Sequence, residues 1–197
     1  MKRPETVVRV ADPTALRALA HPTRVALLDQ LMAVGPRTAS QCAEAVGESA
    51  SSCSWHLRQL ARFGFVERIE SEDGRERPWR ATATGFAYDP AQLGPGDERL
   101  QSAVLTTQLR GEEQALLRHL ETRNELAKPW RDASVVHTYH LLMTPDELAG
   151  LQAKLDQAIR PYVALTRDDA PEGAGAVRLH LRAFGSGESV VPTTPAP

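Results

Sequence analysis

The sequence is poor in three features that mark common protein classes. Two cysteines in 197 residues are too few for the disulfide framework of a small secreted domain. No stretch approaches the roughly 18 consecutive apolar residues of a membrane span, and the amino-terminal residues include a proline and charges where a signal peptide has an unbroken apolar core. Charge is nearly balanced, with a formal net value of −2. We therefore expect a soluble cytoplasmic protein without membrane contact, and overall composition does not point to nucleic acid as a partner.

Motifs of catalysis and of cofactor binding are also missing. There is no glycine-rich phosphate loop, and no serine or cysteine lies in a nucleophile motif. His137 and His140 have a spacing that would place them on opposite faces of a strand. A metal site formed by His140 and His180 would need two strands to pair in the matching register. We expect no enzyme activity, no cofactor and no metal site.

The chain divides into two parts of different charge. Residues 1–88 contain 12 basic and 10 acidic side chains, whereas the remainder contains 11 and 15. Between the parts, residues 89–97 are rich in proline and glycine, a composition typical of a linker. Residues 186–197 have three prolines and no periodic apolar pattern, which favours a disordered tail. We expect a DNA-binding domain over residues 1–88 and a second unit over residues 98–185.

The first part shows four short helical patterns followed by a hairpin pattern. Apolar residues recur at three- and four-residue steps, and Asp12, Thr38 and Ser49 stand where the first, third and fourth helices need a cap. Two β-prone runs, 64–69 and 79–83, then enclose an Asp-Gly pair typical of a tight turn. Helices joined by a tight turn and followed by a hairpin predict the winged variant of the helix-turn-helix.

The fourth predicted helix has one apolar and one polar face. At helical spacing the core side holds Ala50, Cys53, Leu57, Leu60 and Ala61. The opposite side holds Ser51, Ser52, Ser54, Trp55, Arg58, Gln59 and Arg62. No acidic residue occurs from Ser49 to Arg62, although the chain has more acids than bases. Arginines contact phosphates, and hydroxyl and amide groups contact base edges, so these seven polar-side residues are the predicted DNA contacts.

Two further arginines extend this predicted surface. Arg75 and Arg77 flank the turn of the hairpin, from which they could reach phosphates or an adjacent minor groove. The alternative is an ordinary solvated helix and hairpin, since acidic residues lie beside both arginines. The exposed indole of Trp55 would either stack on a nucleotide or lie against the neighbouring helix.

Residues 16–31, 38–49, 51–69 and 73–85 resemble the ArsR-type winged helix-turn-helix regulators. The runs AHPTR and WHL are the most specific parts of this resemblance, which covers about residues 10–88, under half of the chain. It implies a homodimeric bacterial transcription factor that represses at an operator, which we expect to be an inverted repeat. In that family the polar start of the recognition helix contacts the groove, and the first helix and the helix after the wing form the dimer interface.

The chain departs from the family pattern at two points. Ala50 stands where many members have a glutamine, so the operator sequence is not implied. Metal-sensing members use paired thiolates on the third helix, where this chain has Cys42 alone. We interpret Cys42 and Cys53 as small core residues, with a redox pair as the alternative. His56 matches a frequent family histidine and is expected to make a structural hydrogen bond.

The second unit begins with a long predicted helix that Pro129 ends. Its apolar stripe consists of Leu105, Leu109, Leu116, Leu120 and Ala127. The four leucines, together with Leu16 of the first helix, are the predicted dimer contacts. The alternative is that part of the stripe packs within its own chain.

A β-α-β unit is predicted to follow. Residues 135–143 and 176–184 are the predicted strands, and the helix between them begins after Thr144 with a proline and two acidic residues. A unit of this size must pack on the long helix or on a second copy. It resembles the extra C-terminal region of some actinobacterial ArsR-like proteins, which implies no particular ligand. We expect a small-molecule effector to bind beneath its sheet, if one exists.

These patterns together predict an α+β protein that is mainly helical with little β-structure. A winged helix-turn-helix domain is followed by a long helix and a β-α-β unit. The predicted function is a sequence-specific transcriptional regulator that binds double-stranded DNA as a homodimer. The alternative is a winged-helix adaptor that binds another protein and carries a small-molecule site in its C-terminal unit.

Overall fold

The computed structural model describes residues 8–10, 12–70, 77–88 and 98–185. The elements of the first part are β1 (Val8–Val10), α1 (Pro13–Leu19), α2 (Pro22–Val34), α3 (Ala39–Val46), α4 (Ala50–Arg62), β2 (Val66–Arg68), β3 (Trp79–Ala81) and β4 (Phe86–Tyr88). The second part contains α5 (Glu98–Thr122), α6 (Lys128–Ala133) and α7 (Pro145–Ile159). The predicted mainly helical fold with a winged helix-turn-helix and a long following helix is confirmed. The linker 89–97 and the tail 186–197 lie outside the described residues.

The helices of the first part begin where the sequence places capping residues. The Asp12 carboxylate accepts the backbone N–H of Thr14 at 2.8 Å. Thr38 and Gln41 form a reciprocal capping box at the start of α3. Gly47 ends α3 with φ of 72°, a left-handed conformation that glycine adopts without a Cβ penalty. Two residues later Ser49 caps α4, so the turn between the two helices is short.

One core joins the helix-turn-helix to the start of the long helix. Leu16, Leu27 and Leu31 of α1 and α2 are fully buried, as is Leu57 of α4. Val104 of α5 is fully buried in the same cluster, because α5 packs on both α1 and α2. The first turns of α5 therefore belong to the core of the first domain rather than to a separate unit.

The hairpin pairs in a simple antiparallel register. Val66 lies opposite Ala81, and Arg68 lies opposite Trp79. Arg37, between α2 and α3, exchanges two backbone hydrogen bonds with Trp79 at 2.9 and 2.8 Å. The wing is thus attached to the helices through main-chain bonds. The predicted Asp-Gly turn and Arg75 fall within residues 71–76, outside the described residues.

A second sheet escaped the sequence analysis. β1 pairs with β4 in parallel, with Val8 opposite Phe86 and Val10 opposite Tyr88. Each strand has three residues, too few to show an alternating pattern. The pairing joins segments that are far apart in the sequence, so no local signal predicted it.

The long helix ends earlier than the sequence analysis predicted. α5 stops at Thr122, whose hydroxyl donates to the Arg118 carbonyl at 2.9 Å, and a 3₁₀ turn follows at Arg123–Glu125. Pro129 lies in the first turn of α6, where the absence of an N–H costs nothing. Pro129 was correctly predicted to be incompatible with a continuous helix, and it begins the new helix α6. None of the described helices is long and apolar enough to cross a membrane.

The two predicted strands of the β-α-β unit are not formed. Residues 135–143 and 176–184 have no regular structure, and among the described residues they make no backbone hydrogen bonds outside helices. A strand needs a neighbour to pair its N–H and C=O groups, and the described residues supply none to either segment. The expected effector pocket beneath a sheet therefore has no sheet to lie beneath. The helix between the segments is confirmed, with a capping box between Thr144 and Glu147.

Candidate nucleic-acid interface

Helix α4 is held between the body of the domain and solvent. It packs on α2 and α3, with Cys53, His56, Leu57 and Leu60 buried on that side. Ala50, which was predicted on the core side, is exposed because it lies in the first turn, beyond the contact with α3. The rest of the predicted apolar stripe faces the core as expected.

The predicted contact residues of α4 all lie on its outer side. Ser51, Trp55, Arg58 and Arg62 are exposed, and Ser52, Ser54 and Gln59 are partly buried. Their side chains follow the helix surface from its N-terminus to its last turn. The helix therefore presents hydroxyl, amide, indole and guanidinium groups to solvent on one continuous side.

Hydrogen bonds order the side chains along this surface. The Arg58 guanidinium donates to the Ser54 hydroxyl at 2.7 Å, one helical turn away. Arg62 donates to the Gln59 amide oxygen at 3.5 Å. Among the described residues, no carboxylate forms an ion pair with either arginine. Their positive charges consequently face solvent and are available to an anionic partner.

Trp55 is the large apolar side chain of this surface. It is 49% exposed, and its ring meets the His56 ring edge-on at a centroid distance of 4.8 Å. Nearly half of the indole is in solvent, so the alternative of burial against a neighbouring helix is not what the structure shows. An indole held at this angle offers a flat surface for stacking.

Beneath Trp55 lies a pair of histidines that the sequence analysis did not connect. The rings of His21 and His56 are 4.6 Å apart. His21 Nδ1 accepts the backbone N–H of Thr23 at 3.2 Å and so caps α2. The expected hydrogen bond of His56 is not found, because its buried Nδ1 has no partner among the described residues. The His56 ring instead contacts the rings of His21 and Trp55.

Burial sets the protonation of both histidines. It lowers the pKa of His21, and the positive charge of Arg24 lowers it further. The pKa of His56 is lowered by burial first and then by His21 and Arg24. Glu48 opposes both shifts by attracting a proton. The neutral imidazole is the form that can cap α2, since a protonated Nδ1 could not accept a hydrogen bond.

Arg24 fixes the angle between the first two helices. Its guanidinium donates to the carbonyl of Arg17 at 3.0 Å and also to the carbonyl of Ala18. These carbonyls belong to the end of α1, where helices leave acceptors without intrahelical partners. The arginine of the AHPTR run therefore acts in positioning α1 against α2, a role that its place in the sequence did not reveal.

The hairpin contributes less to the described surface. Arg77 is exposed and lies two residues before β3. Arg80 pairs with Glu67 across the hairpin at 2.7 Å, and Arg68 lies 4.6 Å from the centroid of the Trp79 ring. These two arginines thus serve the hairpin itself.

The predicted dimer residues fall into two groups. Leu16 is fully buried in the core of its own chain, so it can support an interface only indirectly. Leu105, Leu109, Leu116 and Leu120 are exposed on α5 at 41–45%, and Leu117 beside them is 53% exposed. A helix that leaves five leucines exposed has an apolar face without a partner among the described residues.

Both cysteines are core residues, as expected. Cys42 and Cys53 are fully buried. Burial, with Cys53 nearby, raises the pKa of Cys42 to about 11. Because the thiolate is the form that binds metal and reacts, this environment disfavours both roles. Within the described part of the chain, no group of three or more histidine, cysteine or acidic side chains is placed to hold a metal ion.

His137 and His180 of the second unit have different partners. His180 Nδ1 lies 3.3 Å from a carboxylate oxygen of Glu112 on α5. His137 Nδ1 lies 3.1 Å from the hydroxyl of Tyr139 in its own segment. The register that would join His140 to His180 does not occur, because their segments are not paired.

Three solved structures have a similar arrangement of elements. A homodimeric winged helix-turn-helix DNA-binding domain from Mycobacterium bovis, described as a possible ArsR-family transcriptional regulator, is 20% identical, covers 64% of this chain and 85% of its own, and has a TM-score of 0.34. Apo wild-type MarR from E. coli is 16% identical, with 76% and 88% covered and a TM-score of 0.32. An S. aureus MepR mutant bound to an oligodeoxyribonucleotide is 15% identical, with 73% and 76% covered and a TM-score of 0.28.

A family model gives a sharper match than these distant structures. No curated protein matches the chain. The model of a family described as "Helix-turn-helix domain" matches residues 19–69, which run from the end of α1 through α4 to the first strand of the hairpin. This is the segment in which capping, packing and the outer side of α4 were described above. Residues 19–69 are therefore similar to this helix-turn-helix family, and the hairpin formed by β2 and β3 makes the domain a winged helix-turn-helix.

Proposed function

We propose that this protein is an ArsR-type transcriptional regulator that binds double-stranded DNA as a homodimer and represses at an inverted-repeat operator. Helix α4 of each copy enters the major groove at one half-site. Ser51, Ser52, Ser54 and Trp55 face the bases and sugars, while Gln59, Arg58 and Arg62 contact the backbone. Arg75 and Arg77 of the wing extend the contact to neighbouring phosphates.

The observation that carries the proposal is the outer side of α4. It combines hydroxyls at the N-terminus, an exposed indole and two arginines that no described carboxylate neutralises. Phosphate contacts position a protein on the duplex, and base-edge contacts from the start of the recognition helix give specificity. A net charge of −2 leaves little non-specific attraction to DNA, so affinity must come from this surface doubled by dimerisation.

Dimerisation is assigned to the exposed leucines of α5. A two-fold axis through this helix pair would place the two α4 helices on the same side of a duplex, with half-sites about 34 Å or a multiple of it apart. An inverted repeat in the operator would mirror that symmetry. The proposal thus links an unpartnered apolar helix face to the symmetry of the DNA site.

The test is binding of the full chain to the DNA upstream of its own gene, measured by fluorescence anisotropy over a range of salt. An Arg58→Ala/Arg62→Ala variant should bind more weakly and lose salt dependence by about 0.9 in log–log slope for each phosphate contact removed. Arg110→Ala/Arg118→Ala is the matched control, since both arginines are exposed on α5 and the charge change is equal. Equal weakening in the two variants would show that the α4 surface is not the DNA contact.

A further inference from the structure

Two segments of the second unit present unpaired backbone and apolar side chains to solvent. We name residues 135–143 and 177–184 the C-terminal segments. Tyr139 is 71% exposed and Val177 is 70% exposed, and no backbone hydrogen bond to either segment occurs among the described residues. Both sequences are β-prone, but among the described residues neither segment is paired as a strand.

The first C-terminal segment lacks every usual protection of a free strand. Residues 135–143 contain no lysine, arginine, acidic residue, proline or glycine. Val135, Val136, Leu141 and Leu142 are each 61–68% exposed, and two neighbouring pairs of this kind place apolar side chains on both faces. Natural edge strands are protected by charge, proline or a cover, and a bare one pairs with another chain. This segment therefore needs a cover, and the described residues provide none.

The second C-terminal segment is held in place on one face only. Arg182 forms an ion pair with Glu112 of α5, and His180 lies 3.3 Å from the same carboxylate. Burial raises the pKa of the Asp29 carboxyl on α2, and the side chains of Arg178 and His180 partly oppose this rise. The basic side chains at alternate positions therefore face the body of the protein.

The other face of that segment points away from the chain. Val177, Leu179 and Leu181 alternate with the basic residues and are 54–70% exposed. An alternation of two is the period of a strand. The segment thus has the side-chain alternation that a strand requires, with polar residues paired to the body of the protein and apolar residues exposed.

The position of the anchor indicates what covers these segments. Glu112 lies on α5 between Leu109 and Leu116, within the row of exposed leucines to which dimerisation is assigned. The ring of Trp130, just before the first segment, lies against Gly175. A Cβ at position 175 would come within 2.9 Å of that ring. Both C-terminal segments consequently start at one place, and one of them crosses the helix where a second copy would bind.

We propose that the C-terminal segments of two copies pair edge to edge in one intermolecular β-sheet beside the α5 contact. The proposal rests on the homodimer of the proposed function and adds to it a second, backbone-mediated interface. Two copies supply four segments, a usual number for a sheet, whereas a single pair of strands is marginal in water. This sheet would cover both segment 135–143 and the apolar side of segment 177–184.

Amide hydrogen exchange of the full-length protein tests this pairing directly. Exchange is measured by mass spectrometry at concentrations above and below the dimer dissociation constant, which sedimentation equilibrium supplies. Amides of residues 135–143 and 177–184 should exchange at least about tenfold more slowly in the dimer, and this protection should disappear on dilution. Protection that does not depend on concentration would mean pairing within one chain and would overturn the proposal.

Proline variants separate backbone pairing from side-chain contact. The N–H groups of consecutive strand residues point to opposite edges, so His140→Pro and Leu141→Pro remove a donor from each edge in turn. The controls are His140→Ala and Leu141→Ala, which lose the same side chains and keep the N–H. At least one proline variant should dimerise about tenfold more weakly than its alanine control.

The remaining outcomes distinguish this inference from the proposed function. A dimer that binds DNA while both segments exchange without protection would overturn the intermolecular sheet and leave the proposed function standing. A chain that stays monomeric at every concentration and does not bind its upstream DNA would overturn both.

Discussion

The imidazole rings of His21 and His56 lie 4.6 Å apart and connect the start of α2 to the buried side of α4. One of them caps α2 through Nδ1, and the other supports the exposed indole of Trp55. Both are held in the neutral form by burial and by nearby positive charge. The orientation of the proposed recognition helix therefore depends on a pair of uncharged rings.

This pair makes the stability of the protein depend on pH. Because the folded pKa of each histidine lies below the ordinary value of 6.5, the unfolded chain takes up protons first as pH falls. The free energy of unfolding should be greatest above pH 6.5 and should decrease as pH falls through 6.5 toward the lowered folded values. Urea denaturation at pH 7.5 and 5.5 measures the difference.

One substitution tests the contribution of His21 to this pH dependence. His21→Asn keeps a side-chain acceptor for the cap and removes the titrating group, so it should reduce the pH dependence without a large loss of stability at pH 7.5. An unchanged pH dependence in His21→Asn would contradict the role given to this ring.

Trp55 should matter to DNA binding far more than to folding. An exposed side chain usually changes stability by no more than about 0.5 kcal/mol when replaced. Trp55→Ala should therefore unfold at nearly the wild-type urea concentration but bind its operator about tenfold more weakly, as expected for loss of one specific contact. The opposite result, with stability lost and binding kept, would assign the indole to packing against His56.

The cap of α3 offers a test of local stabilisation. Thr38 accepts the N–H of Gln41, and Gln41 returns a bond to the N–H of Thr38. Thr38→Ala should lower the free energy of unfolding by about 1 kcal/mol, whereas Thr38→Ser should keep most of it. Equal losses in the two variants would show that the methyl group rather than the hydroxyl is responsible.

The leucine face of α5 is tested by introducing charge. Leu116→Glu should weaken dimerisation strongly, because a carboxylate would be buried without a partner in the interface. Gln114→Glu introduces the same charge on a different side of α5 and should leave the association unchanged. Sedimentation velocity over a concentration series distinguishes the two variants, and equal behaviour would place the interface elsewhere.

Predictions from sequence succeeded where short-range chemistry decides structure. Thr38, Ser49 and Thr144 cap the helices that they were predicted to cap, because the bonding partner is two or three residues away. The seven predicted residues of α4 face outward since helical periodicity fixes their direction.

Predictions failed where the partner is distant along the chain. The pairing of β1 with β4 and the contact of His21 with His56 join residues that no local pattern connects. The two predicted strands of the second unit have β-prone residues but no paired neighbour among the described residues. Alternation of apolar residues reveals which segments can pair, and only the arrangement of chains determines whether they do.

The burial of Val104 gives α5 a mechanical role. Since this residue shares one core with Leu57 of α4, the long helix is packed into the same domain that carries the proposed recognition helix. A helix of 25 residues is about 37 Å long, so a tilt of a few degrees about its buried first turns displaces its far end by several ångströms. In the proposed homodimer, contacts of the C-terminal unit would then set the distance between the two α4 helices.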